Sequence, residues 1–192
     1  VAGLVLAFIL MRITVTVFGN RNPHEVGSGF RHAQTFSAAA MALGHGLQDA
    51  QKTMGIIVLV LISMSYLPAD TGIPLWVVAA SAGAISIGTA VGGKKIMRTL
   101  GRRVIDLDPA RGFAAEATAS SILYTTAFVF AAPVSTTQII TGSIMGAGVE
   151  KRVKSVRWNV GVNIMWAWLL TLPMSALVAA LCHMLIMAIF GY

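Results

Sequence analysis

The sequence predicts an all-α membrane protein, a polytopic bundle of helices, and three observations lead to that prediction. The 192 residues are 56% hydrophobic and only 11% charged, whereas a soluble domain has about 25% charged residues. Several apolar runs are long enough to cross a bilayer, since a helix needs about 20 residues to span about 30 Å of hydrocarbon. The runs are rich in Leu, Ile, Met, Ala and Gly without strict alternation, which favours helices over a barrel.

The first half of the chain predicts apolar helices separated by polar segments. The stretch GHGLQDAQKTMG predicts a break in a helix, because its glycines and polar side chains interrupt the apolar pattern. The expected elements, in order, are an apolar helix over Val1–Phe18 that contains Arg12, a loop over 19–31, a helix of small residues over 33–43, the break over 44–55, an apolar segment over 56–67 and a turn over 68–74.

The second half predicts three further apolar segments. Pro133 cannot continue a helical hydrogen-bond ladder, so PVSTT predicts the end of one helix and the start of another. The expected elements are a spanning helix over 75–91, an apolar segment over 114–131, a short helix over 138–149, and a long stretch over 160–190 that forms one helix kinked at Pro173.

Positive charge is concentrated in two loops. The formal net charge is +7, and ten of the fourteen basic residues lie in segments 93–112 and 150–158. Cytoplasmic loops of membrane proteins carry an excess of Lys and Arg, so both loops are expected in the cytoplasm. Contact with anionic lipids would use the same side of the membrane. The charge therefore does not indicate a nucleic-acid partner.

The distance between these loops predicts a re-entrant unit. Residues 112–149 would form about 57 Å of helix at 1.5 Å per residue, which exceeds one straight crossing and falls short of two. We therefore expect a re-entrant hairpin or a pair of tilted helices that breaks at PVSTT and returns to the same side. The break at 44–55 gives a second unit with the same plan, a broken helix at membrane depth, as in transporter binding sites.

PVSTTQ has the composition of an anion site. Ser135, Thr136 and Thr137 surround the expected start of a helix with hydroxyl groups, and the first helical turn leaves main-chain N–H groups free. Hydrogen bonds to a charged group contribute about 1.5–3 kcal/mol each, so several would offset part of the dehydration of an anion. The alternative is an ordinary capped kink, with Ser and Thr bonded to nearby carbonyls.

GHGLQDAQKTMG places charge between apolar segments. A carboxylate inside a membrane is expensive and by default functional, so Asp49 is a candidate ligand for Na⁺ or carrier of H⁺, assisted by the amides of Gln48 and Gln51. Lys52, three residues later, is expected to pair with Asp49 on one helix face. The alternative is a structural ion pair alone. A cation at Asp49 would compensate an anion at PVSTT, and each ligand would raise the affinity for the other.

Four other residues give weaker indications of structure or function. Gly142 and Gly146 form a GxxxG pattern, which indicates a packing face. Glu116 is interpreted as an N-terminal helix charge or a second proton or cation site, and Cys182 as a small core residue. The sequence shows no metal-ligand cluster, phosphate-binding glycine loop or nucleophile–base arrangement, so neither an enzyme nor a cofactor is expected.

The two polar motifs resemble the signatures of the inorganic phosphate transporter (PiT) family, a G-x-N-D-x-x-K-type motif and a P-x-S-T-T-H-type motif. They occur in the expected order with a basic loop between them. The resemblance covers nearly all of 1–192 and specifically the C-terminal half of such a transporter, so the chain is expected to be one half of an inverted-repeat transporter and to lack the N-terminal repeat. Gln48 and Gln138 depart from the family's usual Asn and His. Gln is longer than Asn, so the cation cavity should differ from that of the family. Both H⁺ and Na⁺ are therefore candidate coupling ions.

The resemblance implies a function. Ser135, Thr136, Thr137 and Gln138 would contact phosphate, Asp49 and Gln48 would serve the coupling ion, and Lys52 would be the charge partner. The implied protein is an H⁺- or Na⁺-coupled phosphate symporter of the plasma membrane that works by alternating access. A homodimer is one of the assemblies that the sequence allows. A sulfate permease of the same fold and a non-transporting membrane subunit are the alternatives.

Overall fold

Every regular element of the described residues is helical, as the sequence predicts. The computed structural model describes residues 1–191, without the side chains of Pro23, Lys95, Ile96, Arg102 and Phe190. The α-helices are α1 (Ala2–Phe18), α2 (Pro23–Ser63), α3 (Leu75–Arg98), α4 (Pro109–Phe128), α5 (Thr136–Val149) and α6 (Trp158–Phe190). A π-helical segment, Thr99–Val104, follows α3, and a 3₁₀ turn, Val153–Ser155, precedes α6.

The chain divides into two compact units. The first unit, Val1–Val156, contains α1–α5, and the second, Arg157–Tyr192, contains α6. In the first unit α2 packs along α4, while α1 packs on α5 and α4 packs on α5. The core is built mainly from small side chains, which let helix backbones approach closely in a membrane protein. Its fully buried members include Ala7, Ala114, Ala115, Ala119, Ala147 and Leu123.

Three helix ends lie together at one end of the first unit. Asn22 caps α2 by accepting a hydrogen bond from the His24 N–H, and Asp108 caps α4 by accepting from the Arg111 N–H. The ring of Phe30 lies 5.4 Å from that of Phe18 and 5.6 Å from that of Phe113. This contact between three aromatic rings joins the end of α1 to the starts of α2 and α4.

Helices α4 and α5 form a hairpin whose base closes at that same end. A Cβ on Gly148 would lie within 3.2 Å of side-chain atoms of Ile105 and Val156, so the segment before α4 and the segment after α5 both pack against the end of α5. The chain breaks between the two helices, which confirms the predicted break at PVSTT. The break begins before Pro133, because Ala131 takes a left-handed φ of 47° and the Ala132 N–H bonds back to the Thr126 carbonyl.

The predicted break over 44–55 is wrong. Helix α2 runs without interruption through all of GHGLQDAQKTMG. A glycine inside a helix costs about 1 kcal/mol relative to alanine, whereas each unpaired main-chain group in an apolar medium costs several kcal/mol. The continuous ladder is therefore favoured. Gly44 serves packing instead, since a Cβ there would touch the side chain of Leu123 at 3.4 Å.

Several other boundaries differ from the prediction. The predicted loop over 19–31 is shorter, because Asn22 and Pro23 begin α2. The first basic segment, 93–112, is largely helical, since α3 continues to Arg98 and the π-helical segment follows. Helix α6 is a single helix that contains Pro173, as predicted. Glu116 is the eighth residue of α4, so it lies too far from the start to act as an N-terminal charge, and the interpretation as a helix-start residue is wrong.

The GxxxG prediction is confirmed at the contact between α1 and α5. A Cβ on Gly146 would overlap the main-chain carbonyl of Leu4, and one on Gly3 would lie 2.9 Å from the Ile139 carbonyl oxygen. A Cβ on Gly142 would only touch the Leu4 nitrogen at 3.6 Å. The close approach of the two helices therefore depends on Gly146 more than on Gly142.

Two described helices are long and apolar enough to cross a membrane by length and composition. These are Leu75–Lys94 within α3 and Trp158–Ile189 within α6, and Ala2–Phe18 is a shorter apolar helix. None of the most apolar window of α6 is buried within the chain, and Cys182 on it is exposed, which corrects its interpretation as a core residue. Such continuous exposed apolar surface is typical of a lipid or protein contact.

Candidate functional site

The candidate site lies where the middle of α2 meets the turn between α4 and α5. Helices α2 and α4 run side by side in the same direction. The Tyr124 hydroxyl donates to the Ala40 carbonyl at 2.8 Å, and further along the pair the Gln48 amide donates to the Leu123 carbonyl at 3.3 Å. This register brings residues 45–52 of α2 level with the hairpin turn.

Asp49 and Thr136 meet there, so the two polar motifs of the sequence form one cluster. The Thr136 hydroxyl donates to Asp49 Oδ2 across 3.4 Å. The ring nitrogen Nδ1 of His45 lies 3.2 Å from the same carboxylate oxygen and 3.2 Å from the Thr136 hydroxyl oxygen. Three polar side chains from α2 and α5 thus surround one point.

Lys52 completes the cluster from the other side of the carboxylate. Its ammonium nitrogen lies 3.1 Å from Asp49 Oδ1 and donates to the main-chain carbonyl oxygen of Val134 at 2.5 Å. The predicted pairing of Lys52 with Asp49 is confirmed, and the bond to Val134 adds a contact with the hairpin turn. The side chains of Asp49 and Lys52 keep 32% and 35% of their surface exposed, so the ion pair is accessible to a ligand.

Gln48 is buried and attaches the hairpin to α2. Its side-chain nitrogen lies 3.3 Å from both the Leu123 carbonyl oxygen and the Thr126 hydroxyl oxygen, and its carbonyl oxygen lies 3.5 Å from the Val134 nitrogen. The residue is only 2% exposed. The observed contacts of Gln48 are therefore with the hairpin, and its role toward a coupling ion stays a prediction.

Of the four residues of PVSTTQ that are predicted to contact an anion, one is buried and three are exposed. Thr136 is buried in the cluster. Ser135 is the N-cap of α5 and accepts a hydrogen bond from the Gln138 N–H at 3.3 Å. The side chains of Ser135, Thr137 and Gln138 are exposed on the first turn of α5. Only Thr136 of the four is in contact with the Asp49 cluster.

A cavity of about 560 Å³ adjoins the cluster. Its wall includes Gln48, Gln51 and Lys52 from α2 and Ala131 and Pro133 from the hairpin turn. The cavity is therefore formed by the same two elements that hold the polar residues, and Lys52 belongs to both the cavity wall and the cluster.

Sequence reasoning missed the participation of His45, Thr126 and the Val134 carbonyl. His45 precedes Asp49 by four residues, and residues at that spacing are neighbours on a helix. That spacing could have identified it. The Val134 carbonyl and Thr126 were not predictable, because their contacts depend on the register between α2 and the hairpin.

Glu116 lies at a second place between α2 and α4. The Ser37 hydroxyl donates to Glu116 Oε2 at 2.7 Å. The residue lines a smaller cavity of about 250 Å³ with Met41, Met97, Leu107 and Ile140. Its interpretation as a second proton or cation site stays a prediction.

The cluster has the chemistry to hold ions of both signs. A helix N-terminus supplies main-chain N–H donors and a partial positive charge, and Thr136 adds a hydroxyl. Asp49 and the Val134 carbonyl supply oxygen ligands for a cation.

Comparison with known proteins agrees with that chemistry. A family model described as "Phosphate transporter family" matches residues 2–179. The chain belongs to this family.

Relatives within the phosphate transporter family are found across bacteria. The proteins named "Probable low-affinity inorganic phosphate transporter" in Rhizobium meliloti (strain 1021) and Bacillus subtilis (strain 168) are 45% and 37% identical to this chain, over 94% and 99% of its length. A protein with the same name in Mycobacterium leprae (strain TN) is 38% identical over 100% of the chain. No solved structure matches.

The chain spans about half the length of the curated relatives it matches. It covers 54%, 57% and 45% of the three proteins named above. Members of this family are transporters and not enzymes, as the sequence predicts, and a transporter of phosphate is by nature a membrane protein.

Proposed function

We propose that this chain forms one repeat of a permease that moves inorganic phosphate across the cytoplasmic membrane together with H⁺ or Na⁺. The observation that supports this most strongly is the contact between the Thr136 hydroxyl at the start of α5 and the Asp49 carboxylate in the middle of α2. An anion ligand and a cation ligand, far apart in the sequence, are brought within one hydrogen bond of each other.

The phosphate subsite is the N-terminal turn of α5. Ser135, Thr137 and Gln138 are exposed around that turn, and Thr136 reaches from it to the cluster. The helix dipole contributes up to about 2 kcal/mol and each hydrogen bond to a charged group about 1.5–3 kcal/mol. Three or four such bonds would offset several kcal/mol of the dehydration of the anion, which is more than the dipole alone supplies.

The coupling ion is held at Asp49, with Gln48 setting the position of the hairpin beside it. Lys52 partly neutralises the carboxylate, and a proton or Na⁺ that binds with phosphate balances the remaining charge. Because each ligand reduces the electrostatic penalty of the other, binding is reciprocal and typically changes affinity by about 5–150-fold. That reciprocity produces symport.

The hairpin α4–α5 acts as a re-entrant unit. Helix α5 is about 21 Å long at 1.5 Å per residue, shorter than the about 30 Å of hydrocarbon. Its non-helical turn lies beside polar side chains, which is where irregular backbone is tolerated at membrane depth. The basic segments 93–112 and 150–158 lie in the cytoplasm, and the second half of the binding site comes from an N-terminal repeat of the full-length protein, with the two repeats alternating access.

Labelled phosphate uptake tests the proposal. The full-length protein that carries this chain is reconstituted into proteoliposomes, and a Na⁺ gradient and a pH gradient are imposed separately. Phosphate uptake driven by at least one gradient, with weak competition from sulfate, is expected. Uptake of sulfate in preference to phosphate would indicate the sulfate permease alternative instead.

The Asp49→Asn variant separates transport from a purely structural role. We expect it to lose uptake while its level in the membrane and its thermal stability stay close to those of the unsubstituted protein, because the amide retains the shape of the carboxylate. Equal losses of folded protein and of uptake would favour a non-transporting structural subunit.

A further inference from the structure

We propose that the Lys52 ammonium occupies the cation position of the Asp49 cluster, so that the transporter moves phosphate without Na⁺. This inference rests on the proposed function and specifies its coupling ion. Lys52 would be a residue that determines cation specificity, acting as a positive charge tethered to the protein in place of an alkali ion from solution.

The oxygen atoms around Lys52 are of the kind that bind Na⁺. The ammonium nitrogen lies 3.1 Å from the carboxylate oxygen Oδ1 of Asp49 and 2.5 Å from the main-chain carbonyl oxygen of Val134. In transporters with broken helices, carbonyl oxygens of the unwound segment coordinate the coupling cation. Val134 lies in such a segment, the non-helical turn between α4 and α5. Lys52 therefore takes up two of the ligands that a Na⁺ ion would need.

A Na⁺ ion at this position would also meet an existing charge. Lys52 is held by two oxygen atoms and is about two-thirds buried, so the repulsion between its ammonium and a nearby cation is screened less than at a fully exposed surface. Because the ammonium is covalently tethered, its effective concentration at Asp49 is high and independent of the salt in solution. Na⁺ has to displace it before it can bind both oxygen atoms.

The position of Lys52 links the cation to the anion subsite. Val134 directly precedes Ser135, the N-cap of α5, and the other oxygen of Asp49 accepts from the Thr136 hydroxyl. The ammonium thus holds the first residues of the phosphate-binding turn against α2, as a bound Na⁺ would in a Na⁺-coupled carrier. With that role filled by the protein, H⁺ remains as the ion that accompanies phosphate.

The test compares phosphate uptake in Na⁺ with uptake in choline. Full-length protein in proteoliposomes receives the same inward pH gradient in sodium chloride or in choline chloride. The unsubstituted protein is expected to take up phosphate equally in both salts. The Lys52→Asn variant, which offers a neutral oxygen ligand and leaves space for an ion, is expected to lose about tenfold in choline and to recover most of that loss in Na⁺, a size typical of coupling between two ligands.

Two matched variants control for side effects. Lys52→Arg keeps a positive charge at the position and is expected to remain insensitive to Na⁺. Lys154→Asn removes a lysine from the 3₁₀ turn before α6, outside the cluster, and is expected to behave like the unsubstituted protein in both salts.

A Na⁺ requirement in the unsubstituted protein would overturn the inference while leaving phosphate transport intact. Uptake by Lys52→Asn that does not respond to Na⁺ would also overturn it. If that variant transports too slowly to compare, equilibrium binding of labelled phosphate to the purified variant is measured, and Na⁺ must raise the affinity about tenfold. The absence of phosphate uptake by the unsubstituted protein in either salt would instead contradict the proposed function.

Discussion

At the scale of single residues, the site was predictable mainly from polar side chains that lie between apolar segments of the sequence. Asp49 and the PVSTT hydroxyls were recognisable from sequence because burying them in a membrane needs compensation. Their contact, at 3.4 Å between Thr136 and Asp49, agrees with the hypothesis of a shared site. The partners of Gln48 were not predictable, because two of them are main-chain groups of Leu123 and Val134, and such contacts follow from helix register.

Gln48→Leu tests whether the buried amide holds the hairpin. The substitution removes bonds to the Leu123 carbonyl and the Thr126 hydroxyl and leaves the Val134 N–H without its acceptor. We expect a loss of about 1–3 kcal/mol in stability, the usual effect of leaving a buried polar group unpaired, seen as a lower temperature of thermal unfolding in detergent. The control Gln51→Leu changes an exposed glutamine on the same helix and should leave that temperature unchanged. Equal effects of the two substitutions would contradict this role.

At the scale of whole helices, the predicted break near Pro133 is confirmed, whereas the predicted break within α2 is wrong. Proline excludes a continuous helix for a covalent reason, so its effect is visible in the sequence. Gly44, Gly46 and Gly55 only weaken a helix. The unbroken hydrogen-bond ladder, with the packing of Gly44 against Leu123 and Tyr124, outweighs that effect. The protein therefore uses one continuous helix and one hairpin where two broken helices were expected.

The α1–α5 contact gives a prediction with an internal control. Gly146→Ala places a methyl group against the Leu4 carbonyl, which the main chain can relieve only by moving α1 away. We expect a loss of about 1–3 kcal/mol, as for other overpacked positions, measured by thermal unfolding. Gly142→Ala adds the same methyl group one turn earlier at an ordinary contact distance and should have a much smaller effect. A larger effect at Gly142 would show that the helices pack in a different register.

At the scale of the whole molecule, charge distribution predicted that both basic segments lie on one side of the membrane. Ile105 and Val156, one from each segment, both lie against Gly148 within the first unit. This proximity agrees with the prediction from the positive-inside rule that both segments lie on the same side of the membrane.

Cysteine labelling tests this topology. Single cysteines replace Arg103, Lys154 and Asp70, all exposed, in a full-length protein in which Cys182 and any cysteine outside this chain have been changed to serine. Intact cells are then treated with a membrane-impermeant thiol reagent. Positions 103 and 154 should be protected until the membrane is opened, and position 70, at the opposite end of α3, should react from outside. Labelling of 103 and 154 from opposite sides would exclude a re-entrant hairpin.

The most direct test of a shared site for phosphate and its coupling ion is phosphate uptake by the Thr136→Val variant of the full-length protein. Valine keeps the shape of threonine and removes the hydroxyl that contacts Asp49. Thr125→Val serves as the control, because the Thr125 hydroxyl donates to the Ser121 carbonyl within α4. We expect Thr136→Val to reduce uptake at least about tenfold, the effect of one hydrogen bond to a charged group, with normal levels of protein in the membrane and normal uptake by Thr125→Val. Equal uptake by both variants would contradict the central claim.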